Sequence, residues 1–151
     1  MTKNLTVSSL GRFCSGGILS GALEREAARE AMETWNVRAP APETPITALS
    51  GGNQQKTILA RWMLTEPKVI FLDEPTRGID VGAKAEIYRR IDELARSGLG
   101  IVVVSSELPE LLALADRVLV LCEGRLTAEF DREEAAPEKV MAAAAPGGME
   151  K

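Results

Sequence analysis

Two places in the sequence gather residues suited to handling a phosphate or an activated water. At 73–74 the acidic pair Asp73-Glu74 follows the apolar run Val69-Ile70-Phe71-Leu72 and precedes Pro75. A nucleotide hydrolase needs one carboxylate to hold Mg²⁺, usually through water, and another to orient or deprotonate the attacking water. Adjacent residues at a strand end can divide those tasks, because their side chains diverge. Taken alone, the same pair also describes a solvated turn. At 49–56 the chain reads Leu-Ser-Gly-Gly-Asn-Gln-Gln-Lys, directly ahead of an apolar helical stretch. Ser50 is a favourable N-cap, because its hydroxyl can accept from the free N–H groups of the first turn. Gly51 and Gly52 let a ligand approach the backbone closely. The unpaired donors and partial positive charge of a helix start are a natural seat for phosphate. Ser-Gly-Gly by itself is equally an ordinary capped helix start.

The elements that must position these groups follow from periodicity. Residues 1–20 read as loop. A helix is predicted over 19–35, with Leu19, Leu23, Ala27, Ala31 and Trp35 recurring every fourth residue and Glu24, Arg25, Glu26, Arg29 and Glu30 on a solvated face. Pro40, Pro42 and Pro45 form an extended, stiff connector. A second helix runs over about 52–65 and buries Ile58, Leu59, Trp62 and Met63. The run at 68–73 suits a strand buried on both faces, as in a parallel sheet. Pro75 and Gly78 mark a turn before a helix over 81–97, with Ile87, Ile91, Leu94 and Ala95 inward and Glu86 and Arg90 paired outside. A buried β-branched strand at 101–104, a short helix at 108–115, and strands at 117–122 and 125–130 joined through Glu123-Gly124 come next. A helix over 133–145 ends the chain, with 146–151 fraying. Strand–helix–strand–helix–strand is an α/β pattern of parallel βαβ units with right-handed crossovers. Chemistry in such sheets collects at the carboxyl ends of strands. Here those ends carry Asp73-Glu74 and Ser105-Ser106-Glu107.

Composition excludes several classes. The chain has 151 residues, 45% hydrophobic and 26% charged, with a net charge of −4, which is ordinary for a soluble domain and unsuited to general nucleic-acid binding. With no histidine, every histidine-based mechanism within the chain is excluded. Cys14 and Cys122 stand far apart, in no metal-ligand spacing. Together with the lack of an apolar signal core or of a run near the roughly 18 residues of a membrane span, they read as reduced thiols in the cytosol.

The octet at 49–56 resembles the signature motif of ATP-binding-cassette (ABC) ATPases, in the form found in bacterial monosaccharide importers of the ribose, galactose or xylose type. Val-Ile-Phe-Leu-Asp-Glu-Pro-Thr at 69–76 resembles the family's Walker B segment, and Arg77-Gly78-Ile79-Asp80 stands at the spacing of its D-loop. The resemblance implies that Asp73 serves Mg²⁺ and that Glu74 is the catalytic base. Ser50, Gly51, Gly52 and Gln54 would bind ATP held by another cassette, and Asp80 would contact that partner across the interface. As a helix N-cap, Asp80 has a second role compatible with the first. Val104-Ser105-Ser106-Glu107 lies where the family has its switch loop, with Ser106 in place of the usual His. A hydroxyl there can hydrogen-bond a phosphate but cannot carry the charge of an imidazolium. No Gly-x-x-x-x-Gly-Lys-Ser/Thr loop is present, since Ala22 follows the spaced Gly16 and Gly21 where Lys is needed.

The resemblance covers nearly all of the chain but only the second part of a cassette. It implies a partial ABC cassette: a helical-subdomain portion and connector at 1–48, signature helix and ATPase core at 49–132, and a terminal helix and tail at 133–151. The expected function is the ATP-binding and hydrolysing component of a carbohydrate importer, using ATP and Mg²⁺. It would work with another cassette and with membrane permease subunits, peripheral to the inner face of a bacterial plasma membrane. A truncated cassette of this kind should need a complete one for activity. A non-enzymatic docking or inhibitory module on a full ABC ATPase, and a non-functional truncated product, are the alternatives.

Overall fold

The computed structural model describes residues 1–146 and divides into two units, Met1–Ile70 with Thr76–Gly100, and Phe71–Pro75 with the described residues from Ile101 onward. The first unit does not begin as loop. Helix α1 (Thr2–Thr6) leads through a 3-10 stretch over Val7–Phe13 into a two-stranded hairpin, β1 (Cys14–Ser15) and β2 (Ile18–Leu19), with Cys14 opposite Leu19. Gly16 and Gly17, at φ +57° and +81°, make its turn, a left-handed pair that glycine adopts without strain.

Helix α2 (Gly21–Thr34) is capped by Ser20, whose hydroxyl accepts from Leu23 N–H. Its buried stripe is Glu24, Ala28, Ala31 and Trp35, rotated by one residue from the expected one at its N-terminal end. Leu19 and Leu23 are exposed. Glu24, expected in solvent, is buried because the Thr6 hydroxyl donates to its carboxylate at 2.7 Å.

Helix α3 (Gly51–Met63) buries Lys56, Thr57, Leu59 and Ala60, while Trp62 stays 48% exposed beneath the Arg61 guanidinium. The core position expected for Trp62 is therefore wrong: Leu59 is buried as expected, but the inward stripe turns toward Lys56 and Ala60 and leaves Ile58 and Met63 half-buried. After β3 (Val69–Asp73) comes α4 (Val81–Arg96), with Ile87 and Ile91 buried as expected and Ala95 exposed. The outward pair of Glu86 with Arg90 does not form. Glu86 meets Lys56 of α3, and Arg90 meets Glu93 and the Thr34 carbonyl.

Strand β3 pairs with β4 (Gly100–Val104). Gly100 N–H donates to Lys68 O at 3.0 Å and Glu74 N–H to Val104 O at 2.8 Å. Both strands advance together between these bonds, so the pair is parallel. Neither strand is buried on both faces. Ile70 and Leu72 are buried, whereas Val69, Phe71 (75% exposed), Val102 and Val104 are exposed. A continuous apolar run records that both faces can tolerate burial, not that both are covered.

The second unit adds α5 (Leu108–Leu114) and the antiparallel hairpin of β5 (Arg117–Cys122) and β6 (Arg125–Asp131). Glu123 and Gly124, both at positive φ, form its two-residue turn. A bulge after Val120 leaves Thr127 as the extra residue, its hydroxyl within reach of Val120 O and Ala143 O. Helix α6 (Pro137–Ala144) packs Val140 and Ala143 onto Val118 and Val120. It begins four residues later than expected, because Pro137 suits a first helical turn and holds the residue before it extended. The expected fraying at 147–151 lies outside the described residues.

Candidate functional site

Ser50 occupies the N-cap position of α3, but its hydroxyl does not cap the helix. It accepts instead from the Asn53 side-chain amide at 2.9 Å, and the Asn53 carbonyl oxygen takes the Arg38 backbone N–H at 2.9 Å. The first-turn N–H groups of α3 are therefore not taken by a side-chain cap. Gly51 is exposed, and a Cβ there would meet only Gly78 O, at 3.8 Å. Gly52 is different. A Cβ on it would stand 2.6 Å from the Ala83 Cβ and 3.6 Å from Ile79 Cγ2, so this glycine lets α3 lie against the start of α4. Gln54 folds back, its amide donating to Leu49 O at 2.9 Å.

Asp80 caps α4, its carboxylate accepting from Ala83 N–H at 3.0 Å. Ser50, Gly52 and Asp80 share an open groove of about 320 Å³ with Arg38, Lys56 and Glu86. At its floor Lys56, 4% exposed, donates to Glu86 at 2.9 Å and to Asn36 O at 2.6 Å. The Lys56 hydrogen bond, and then its charge, hold the Glu86 carboxyl below its ordinary value of 4.5, against the opposing effect of burial. This three-element tie was not foreseen. A lysine ending a polar tetrad carries no local sign that it will be buried, and its partners lie 20 and 30 residues away.

In the second unit, Asp73 is exposed at the end of β3 and Glu74 is half-buried. Glu74 sits at φ +49°, an uncommon conformation for a residue with a side chain. Its N–H is tied to Val104 O, and its Oε1 accepts from Ser106 N–H at 2.8 Å. Ser106 thus meets Glu74 through its backbone. Behind Ser106, the Ser105 hydroxyl donates to the buried carboxylate of Glu110 and accepts from Glu107 N–H at 3.0 Å. Glu110 was missed because its position falls outside the leucine stripe of α5. The available sign was its place three residues after the N-cap Glu107, where a Glu turns back on the helix start.

Among the described residues no group of three or more His, Cys, Asp or Glu side chains could hold a metal by itself. No described helix is long and apolar enough to cross a membrane.

The family described as "ABC transporter" matches residues 2–77. The chain is 50% identical over 145 residues to the xylose import ATP-binding protein XylG of Geobacillus kaustophilus, covering 96% of itself and 29% of that protein. It is 50% identical over 144 residues to the ribose import ATP-binding protein RbsA of Rhodopirellula baltica, covering 95% of itself and 28% of that protein. The chain thus spans less than a third of the length of these relatives. Its fold resembles that of a nucleotide-free ATP-binding cassette from an ABC transporter, with TM-score 0.76 at 21% identity over 99% of this chain and 60% of that one. It also resembles a metal-chelate-type ABC transporter in an inward-facing conformation, with TM-score 0.78 at 21% identity over 95% of this chain and 56% of that one. The expected α/β cassette fold is borne out, and the match is to part of a cassette.

Proposed function

The chain belongs to the ABC transporter family, and from that premise we propose that it is the signature- and glutamate-bearing part of an ATP-binding subunit that drives a carbohydrate importer. The carbohydrate assignment is supported by half-identity to xylose and ribose import proteins over nearly the whole chain. The observation that carries the nucleotide role is the start of α3. Ser50 and Gly51 lie at a helix N-terminus whose first-turn N–H groups no side chain caps, beside the groove that Asp80 also lines. Those donors suit the phosphates of an ATP bound by another cassette. Ser50, Gly51, Gly52 and Gln54 form this in-trans half-site, and Asp80 faces the partner across it. Gln54 would have to exchange its bond to Leu49 O for the ligand.

Asp73 and Glu74 serve a different site in this reading. Asp73 offers one exposed, hard oxygen donor. That fits Mg²⁺, which binds through one or two carboxylates together with waters and substrate phosphates rather than in an all-protein cage. Mg²⁺ there would neutralise charge developing on the phosphate oxygens. Glu74, its Oε1 fixed by Ser106 N–H, keeps its other oxygen to align and deprotonate the attacking water. ATP closure of two cassettes and reopening after hydrolysis would be passed to membrane permease subunits, with this chain at the cytoplasmic face.

The test is capture by a complete monosaccharide-importer cassette carrying a hydrolysis-blocking substitution of its own glutamate. ATP-dependent capture, abolished by Ser50→Arg, is expected. Capture that ignores nucleotide, or that survives Ser50→Arg, refutes the signature assignment and leaves a passive docking module. Saturable micromolar ATP binding by the chain alone would also contradict the reading, which places the phosphates of the signature site on the partner.

A further inference from the structure

Glu110 is a carboxylate only 2% exposed, and its burial must be matched by donors. In an ordinary capping box the Glu at the third helical position reaches back to the N-cap N–H. Here a hydroxyl stands between them. Ser105 Oγ donates to Glu110 Oε2 and itself accepts from the N–H of the N-cap Glu107 at 3.0 Å. The turn at 105–107 is thereby pinned to the first turn of α5 on both sides of Ser106. The Ser106 N–H then lies 2.8 Å from Glu74 Oε1, while Glu74's own N–H is held by Val104 O at 2.8 Å.

We infer that Ser105 and Glu110 are positioning residues for Glu74, acting through the backbone N–H of Ser106. The inference rests on the reading of Glu74 as catalytic base. A base must present a fixed lone pair to its water, and a carboxylate on a flexible stem does so only when one oxygen is anchored. The anchor is a main-chain N–H, so it neither titrates nor depends on the Ser106 side chain. Its direction is set by the peptide plane between Ser105 and Ser106, and that plane is set by the Ser105–Glu110 link.

The test has two arms on the full chain. Amide hydrogen exchange followed by NMR reports the hold directly. Ser105→Ala should lower protection of the Ser106 amide about fivefold, as the loss of one ordinary hydrogen bond implies. Ser105→Thr, which keeps the hydroxyl, should restore it, and Ser106→Ala should leave it unchanged. In assembly with a complete cassette, Ser105→Ala should lower kcat for ATP with KM unchanged, and Ser105→Thr should rescue it. A Ser105→Ala chain whose Ser106 amide stays as protected as the original overturns the inference, as does native kcat in that variant while Glu74→Gln is dead. Native turnover by Glu74→Gln instead refutes the reading of Glu74, and the exchange arm still decides whether the turn is pinned. Should Ser105→Ala unfold the chain, Glu110→Gln, which keeps a weaker acceptor, replaces it with an intermediate loss expected. Full protection in that variant overturns the inference.

Discussion

Gly51 and Gly52 are adjacent, carry the same motif and read alike in sequence, yet alanine should act on them with opposite sign. At Gly52 the new Cβ would stand 2.6 Å from the Ala83 Cβ. Carbon atoms prefer roughly 3.5–4.0 Å, so α3 and the start of α4 would have to part by about 1 Å at a contact between two backbone-borne atoms. No flexible side chain is available to give way. Overpacking of this kind costs about 1–3 kcal/mol, offset by up to about 1 kcal/mol from the better helix propensity of Ala. The net runs from about zero to a loss of about 3 kcal/mol; its middle, about 1–2 kcal/mol, is about 2–8 °C in Tm for a chain of this size. At Gly51 the nearest atom is Gly78 O at 3.8 Å, an ordinary contact, and Gly51 does not occupy the left-handed region. Gly51→Ala should therefore be neutral or slightly stabilising, by less than about 1 kcal/mol. Thermal and urea unfolding of both variants, followed by far-UV circular dichroism, checks the contrast. A Gly52→Ala chain as stable as Gly51→Ala would refute the packing account and return both glycines to a purely ligand-facing role. In the capture assay with a complete cassette the order should reverse, with the exposed Gly51 the more sensitive to added bulk.

Two further outcomes follow from charged side chains. The Glu86 carboxyl is held below its ordinary value of 4.5 by Lys56, so between the folded and unfolded values the native state binds fewer protons. Its contribution is complete above about pH 4.5 and is lost as pH falls through the folded value. Urea midpoints from pH 3 to 6 should fall more steeply toward acid in the native chain than in Glu86→Gln, and parallel curves would contradict this. Asp80→Ala should lose the α4 cap and about 1 kcal/mol, whereas Asp80→Ser should keep most of that stability, as thermal unfolding would show. If Asp80→Ser still loses ATP-dependent capture, the carboxylate acts across the interface as well as on its own helix.

Much of the fold was legible because it rests on local signals. The start of α4, the Glu123-Gly124 hairpin and the parallel strands each carry a cap, a turn pair or an apolar run within a few residues. The β1–β2 hairpin had its own signal in Gly16-Gly17, hidden because each flanking strand is two residues long. What was illegible rests on pairings distant in sequence. Glu24 looks like a surface glutamate until Thr6, 18 residues earlier, donates to it. Lys56 looks like a solvated motif residue until Asn36 and Glu86 enclose its ammonium. Periodicity assigned Trp62 inward together with Leu59, but the buried face runs through Lys56, Leu59 and Ala60 and leaves Trp62 outside it.

The motif residues also show why a family resemblance and a packing role are not competing explanations. Asp80 caps a helix and lines the groove beside Ser50. Gly52 belongs to the helix start proposed to meet phosphate and is a point where that helix touches α4. Such double use has a physical advantage. The approach of α3 to α4 fixes the spacing between the Ser50 end of the groove and its Asp80 end, so whatever rigidifies the contact would also fix the proposed half-site. Lys56 reinforces the same arrangement from below by joining both helices to the end of α2. An isolated phosphate contact could be made by any helix start. One held at a set distance from a second residue of the groove is served here by a small residue at 52, a cap at 80 and a buried cation between the helices. The sequence supplies all three between Gly52 and Asp80.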